Sequence, residues 1–136
     1  MTDSEFLQAF EGCRIPASEF HHRDHLRLAL LYLQRYGASM AASRIAESIR
    51  RYAAHLGKSD KYNETVTQAW LRMVHAAASD TPGATLDRLV AGHPELLDKN
   101  TLERYYSRDV LNSRAARLTF VPPDRRPLPS AASVEC

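Results

Sequence analysis

Three histidines and an aspartate, His21, His22, Asp24 and His25, fall within five residues of the stretch EFHHRDHLRLALLYL, immediately before an apolar run. Imidazole ionises nearer neutrality than any other side chain, so a cluster of this kind suits proton transfer on a bound molecule. Neutral imidazole also ligates metals, and His21 and His25, four apart on a helix, would offer two donors to one ion. Asp24 falls on another side of the helix, where it can orient a neighbour, pair with Arg23 or Arg27, or stabilise the helix start.

These residues need elements to position them. At about 100° per residue, His22 and His25 lie about 60° apart and share a stripe with Leu26, Ala29, Tyr32, Leu33 and Tyr36. A second helix repeats the arrangement, because Asn63 shares a stripe with Val66, Thr67, Trp70, Met73, Val74 and Ala77. If the two helices pack side by side in the same sense, their polar first turns meet at one end of a bundle. His22, His25 and Asn63, with Glu64, Tyr62 and Thr67, would then converge over a floor of Tyr32, Trp70 and Met73. Polar groups over an apolar floor describe a small-molecule pocket.

Three functions compete for that pocket. The preferred one is a small enzyme of lyase or isomerase type, with His22, His25 and Glu64 moving a proton and Tyr32, Tyr62, Asn63, Trp70 and Tyr106 holding the substrate, without a cofactor. A second is a metal-dependent enzyme in which His21 or His22, His25 and Glu64 hold one divalent ion. The third is a non-catalytic small-molecule binding or adaptor module, its inward histidines buried and bonded to backbone carbonyls, Tyr106 or Asn63. His55 and His75 read as surface residues and His93, before Pro94, as loop. Arg114 and Arg117 share a helix face and could grip a carboxylate or phosphate, or pair with Asp109, Glu103 or the tail.

Local signals divide the chain into helices. Thr2 to Glu5 matches a capping box opening a first helix to about Cys13. Gly37 sits where a helix from about His21 needs a residue lacking a β-carbon, and Ser39 opens a third helix that ends at Gly57, giving an antiparallel hairpin. A fourth helix carries the Val66 to Ala77 stripe and stops at Asp80-Thr-Pro-Gly83. Shorter helical pieces are expected at about 85–91, 102–106 and 107–120. Four of the seven prolines lie in 121–136, which is therefore a strap or a tail. The expected organisation is an all-α single-domain bundle of five or six helices over 1–124 and a Pro-rich, flexible 125–136.

Composition narrows the class. A chain of 136 residues with 44% hydrophobic and 25% charged residues is ordinary for one globular domain. The net charge is +2, and the eighteen basic residues are dispersed, so nucleic acid is not expected as a partner. Two cysteines make no disulfide framework, and neither a leader nor a membrane-length apolar run is visible, which predicts a cytoplasmic protein without a membrane partner. Phosphate loops, nucleophile elbows and dinucleotide fingerprints are missing.

Three segments in order, FHHRDHLRLALLYL, KYNETVTQAW and LLDKNTLERYYSRDVLNSRAARLTFVPPD, resemble a family of small uncharacterised bacterial helical proteins. That family's pattern is an HxxDH-type start, a YHET-type segment and a YYS…L…S…AR stretch ending in PD. The resemblance spans about residues 15–126 and implies common ancestry, not an activity. Where the pattern tends to have His, this chain has Asn63, a poor ligand for a borderline-soft metal.

Overall fold

The computed structural model describes residues 1–130. Among them the chain forms six α-helices and no strand: α1 (Asp3–Glu11), α2 (His22–His55), α3 (Glu64–Ser79), α4 (Leu86–Gly92), α5 (Arg108–Leu111) and α6 (Arg114–Leu118). Short 3₁₀ turns occupy Ala17–Glu19, Ser59–Lys61, Pro94–Leu97 and Lys99–Arg104. The all-α bundle is thus as expected, and no described helix is long and apolar enough to cross a membrane.

Helix starts follow side-chain chemistry. Thr2 Oγ1 accepts from the Glu5 amide at 3.1 Å while the Glu5 carboxylate accepts from the Thr2 amide at 2.8 Å, closing the capping box. At the starts of α3, α4, α5 and α6 the side chains of Asn63, Thr85, Ser107 and Ser113 each accept from the backbone amide three residues on. One of these caps revises the expected 107–120 helix: Ser107 starts it as expected, but Ser113 interrupts it and starts a new one. Its Oγ also donates to Val110 O at 2.7 Å, so one hydroxyl ends α5 and begins α6.

Gly37 turns α2 into a hairpin. Its φ of 79° and ψ of 165° lie in a region that essentially only glycine enters. A straight helix would hold residues 32 and 48 about 24 Å apart. Instead Tyr32 Oη and Ser48 Oγ are 2.7 Å apart, so 38–55 folds back on 22–36.

Helix α3 packs between the two arms and sets their register. Along 38–55 it runs in the opposite sense, with Gln68 Nε2 donating to Ala42 O at 2.9 Å and Arg50 pairing with Glu64 at 3.0 Å. Along 22–36 it runs in the same sense, from the His22–Trp70 ring contact towards Gln34, whose amide donates to Ala84 O beyond the end of α3. The core between them includes Leu26, Ala29, Ile45, Ala69 and Val74, all fully buried. Apolar burial of this kind is the main term holding a helical bundle together.

The segment after α6 crosses the bundle as an extended strap. Val121 N donates to Thr65 Oγ1, Tyr106 Oη donates to Val121 O, the Asp124 carboxylate accepts from the Ser107 amide, and Arg125 N donates to Tyr105 O. Leu128 then packs against the core. Residues 125–128 therefore lie on the helical body instead of leaving it at 124. The remainder of the expected flexible tail, 131–136, lies outside the described residues.

Candidate anion-binding site

The polar residues at the start of α2 do different work from one another. His21 is exposed ahead of the helix, and its amide donates to the Asp24 carboxylate at 2.9 Å, so Asp24 serves the helix start. The half-buried His22 places Nε2 2.8 Å from Leu96 O and sets its ring edge-on to Trp70 at 4.5 Å between centroids. Burial lowers its pKa, partly opposed by the Leu96 carbonyl. The rim of His25 reaches the surface, but its Nε2 is sealed from solvent without a hydrogen-bond partner. Desolvation, reinforced by His22, lowers the His25 pKa to about 4, so the ring is neutral at physiological pH.

Asn63 does not join them. Its Oδ1 accepts from the Val66 amide at 3.0 Å and its Nδ2 donates to Leu111 O at 2.7 Å, which commits both ends of the carboxamide. The expected convergence is undone by register: His22 meets α3 at Trp70, seven residues or about 10 Å along the axis from Asn63. Azimuth was legible from the wheel, but axial offset was not. Asn63→Ala should cost about 2 kcal/mol in urea denaturation, from the lost cap and an orphaned Leu111 carbonyl. Asn63→Asp keeps the cap and should recover roughly half; equal losses would remove the cap from the account.

The alternative metal quartet is likewise not assembled. Among the described residues, no three His, Cys, Asp or Glu side chains come together as a metal-holding group. Glu64 is the first residue of α3, six positions before the Trp70 that His22 meets, and Arg50 Nη2, Tyr62 Oη and Gln68 Nε2 all donate to its carboxylate. Three of the expected substrate contacts are core groups instead. Trp70 is only 2% exposed, Tyr32 donates to Glu11 Oε2 at 2.6 Å, and Tyr106 is buried with its hydroxyl on Val121 O. Burial and the neighbouring Glu11 carboxylate raise the Tyr32 pKa, which keeps the phenol protonated.

Tyr62 leads to a different site. It lines a cavity of about 580 Å³ with Arg50, Ala54, Ser59, Asp60, Arg114, Arg117 and Leu118. Three elements build this cavity. Arg50 and Ala54 stand one turn apart near the end of α2, and Gly57, at a φ of 70°, turns the chain into the Ser59–Lys61 turn. Helix α6 completes it, because Ala116 is buried while Arg114 and Arg117, three apart, stay on the exposed face.

Charge in the cavity is unevenly compensated. Arg50 is neutralised by Glu64 and lies over the Tyr62 ring, 5.2 Å from Cζ to centroid. Tyr62 Oη donates to the same carboxylate at 2.6 Å, and burial together with that bond raises its pKa, so it remains a phenol. Arg117 Nη1 donates to the Asp60 backbone carbonyl at 3.1 Å, a neutral partner that fixes the guanidinium without cancelling its charge. Arg114 has no hydrogen bond or ion pair among the described residues. Glu103, one of its expected partners, is taken by Arg108 at 3.0 Å. Arg50 and Ser59 carried no signal in the sequence, since neither belongs to a motif and the chain brings them to α6 only on folding.

Comparison with family models, curated proteins and solved structures finds nothing that matches the chain. What the protein does has to be read from the chemistry of its own side chains.

Proposed function

We propose that the protein binds a small organic anion, a carboxylate or phosphate monoester with a short apolar body, in the cavity between α2 and α6. The observation that carries this is the pair Arg114 and Arg117 on one cavity wall, neither cancelled by a carboxylate bond among the described residues, beside Arg50, which Glu64 already neutralises. A guanidinium offers planar, paired N–H donors that match a carboxylate or phosphate. Leu118, 60% exposed, together with Ala54 and the Tyr62 ring, supplies the apolar wall for the body of the ligand. His22 and His25 do not line this cavity, so proton transfer by either is no part of the proposal.

Calorimetric titration with phenyl phosphate, benzoate and inorganic phosphate tests it and separates the head groups. At least one of the two aromatic anions should bind more tightly than inorganic phosphate, and its affinity should fall as salt rises. Replacing both exposed arginines, Arg114→Ala with Arg117→Ala, should weaken it about 10- to 100-fold, as expected for losing charge-assisted hydrogen bonds, while the thermal midpoint falls by no more than a few degrees from the lost Arg117 bond to the Asp60 carbonyl. Absence of binding by all three probes, or equal affinity in the double variant, overturns the proposal.

A further inference from the structure

We infer that a second small-molecule site lies beneath the strap and takes a monocarboxylate with an aliphatic body. A cavity of about 540 Å³ separates the strap from the helices, within the range of ligand pockets. Its floor is Leu33, Ala38, Ala42 and Leu71, and its roof is Pro123 and Leu128 together with the prolines flanking Leu128. Small residues directly after the Gly37 turn leave a trough. The prolines above it have no N–H to donate and a fixed φ, so the strap passes over the trough on either side of its backbone anchor at Arg125 without bonding to the floor through them.

One end of this apolar space is cationic. Arg72 and His75, three apart on α3, share the cavity wall, and no acidic side chain lines it among the described residues. The Arg72 guanidinium stacks on Phe120 with Cζ 4.0 Å from the ring centroid, which orients it through its face. Its N–H donors, at the edge, have no acceptor among the described residues, and neither does the His75 ring. A carboxylate at Arg72 with its chain along Leu71, Leu33 and Leu128 would satisfy both halves of the lining. This site shares no residue with the Arg114 and Arg117 cavity, and the two stand or fall separately.

Nitrogen-15 NMR titration of the full chain with octanoate, octanol and octyltrimethylammonium tests the inference. Octanoate should shift the amides of Ala38, Leu71 and Leu128 saturably and bind at least tenfold more tightly than either other probe. The exposed substitution Arg72→Gln should remove most of that preference, and Ser39→Trp, which fills the trough from the surface, should abolish binding. Arg114→Ala with Arg117→Ala should leave it unchanged. Failure of octanoate to shift these amides, equal affinity for octanol, or undiminished binding in Ser39→Trp each overturns it; circular dichroism confirms that the variants are folded.

Discussion

Acidification from about pH 7 to about pH 4.5 is expected to cost the folded protein roughly 2–3 kcal/mol through His25 alone. The sign follows from proton binding in the two states. Unfolded, the imidazole ionises near its ordinary value of 6.5; folded, burial holds it to about 4. Between those values the unfolded chain binds a proton that the folded chain does not. Stability is therefore fully present above about pH 6.5 and is lost as pH falls towards 4. His22, also shifted downward by burial, acts in the same direction at the upper end of the window. The exposed carboxylates Glu5 and Asp124, lowered by hydrogen bonds to Thr2 and Ser107, act only at more acidic pH. Urea denaturation across this range should show a falling midpoint in the parent protein and a much flatter profile in His25→Leu. Parallel profiles would show that Nε2 is hydrated or partnered in solution and that His25 titrates normally.

Removing the indole of Trp70 should produce the largest loss of stability from a single truncation. Trp70 is 2% exposed, stands in the middle of α3 and supports the His22 ring that ties the start of α2 to Leu96. Large-to-small substitution of a buried aromatic costs about 3–5 kcal/mol in transfer and cavity terms. For a domain of this size the thermal midpoint of Trp70→Ala should drop by roughly 10–20 °C. Below that midpoint the variant should still bind the anionic probes at Arg114 and Arg117, because Trp70 does not line their cavity. Stability near that of the parent, with probe binding lost, would return Trp70 to the role of ligand contact that its position on the wheel first suggested.

Local structure was legible because its causes are local. The Thr2–Glu5 capping box, the breaks at Gly37 and Gly57 and the buried stripe Ala69, Trp70, Met73, Val74 and Ala77 each depend on residues within two turns of one another. The inward face of His22 and His25 was legible for the same reason. Cap residues were harder to assign: Asn63 and Ser113 are polar groups at apolar faces, and a sequence does not distinguish a side chain that binds its own backbone from one that binds a ligand.

Tertiary packing decided where the helices stand against one another along their axes. A helical wheel gives the angle of a residue around its helix and leaves the offset free. Packing of apolar side chains set that offset two turns away from the one that would have joined His25 to Asn63. The same packing brought Arg50 to Arg114 and Arg117 across more than sixty positions of chain. Nothing local links Arg50 to the Arg114 and Arg117 pair, since the two helices carry them on solvent faces far apart in the chain. Their meeting follows from where α6 docks on α3, and that is set by the burial of Ala116 and by the Thr119 and Val121 backbone bonds to Thr65.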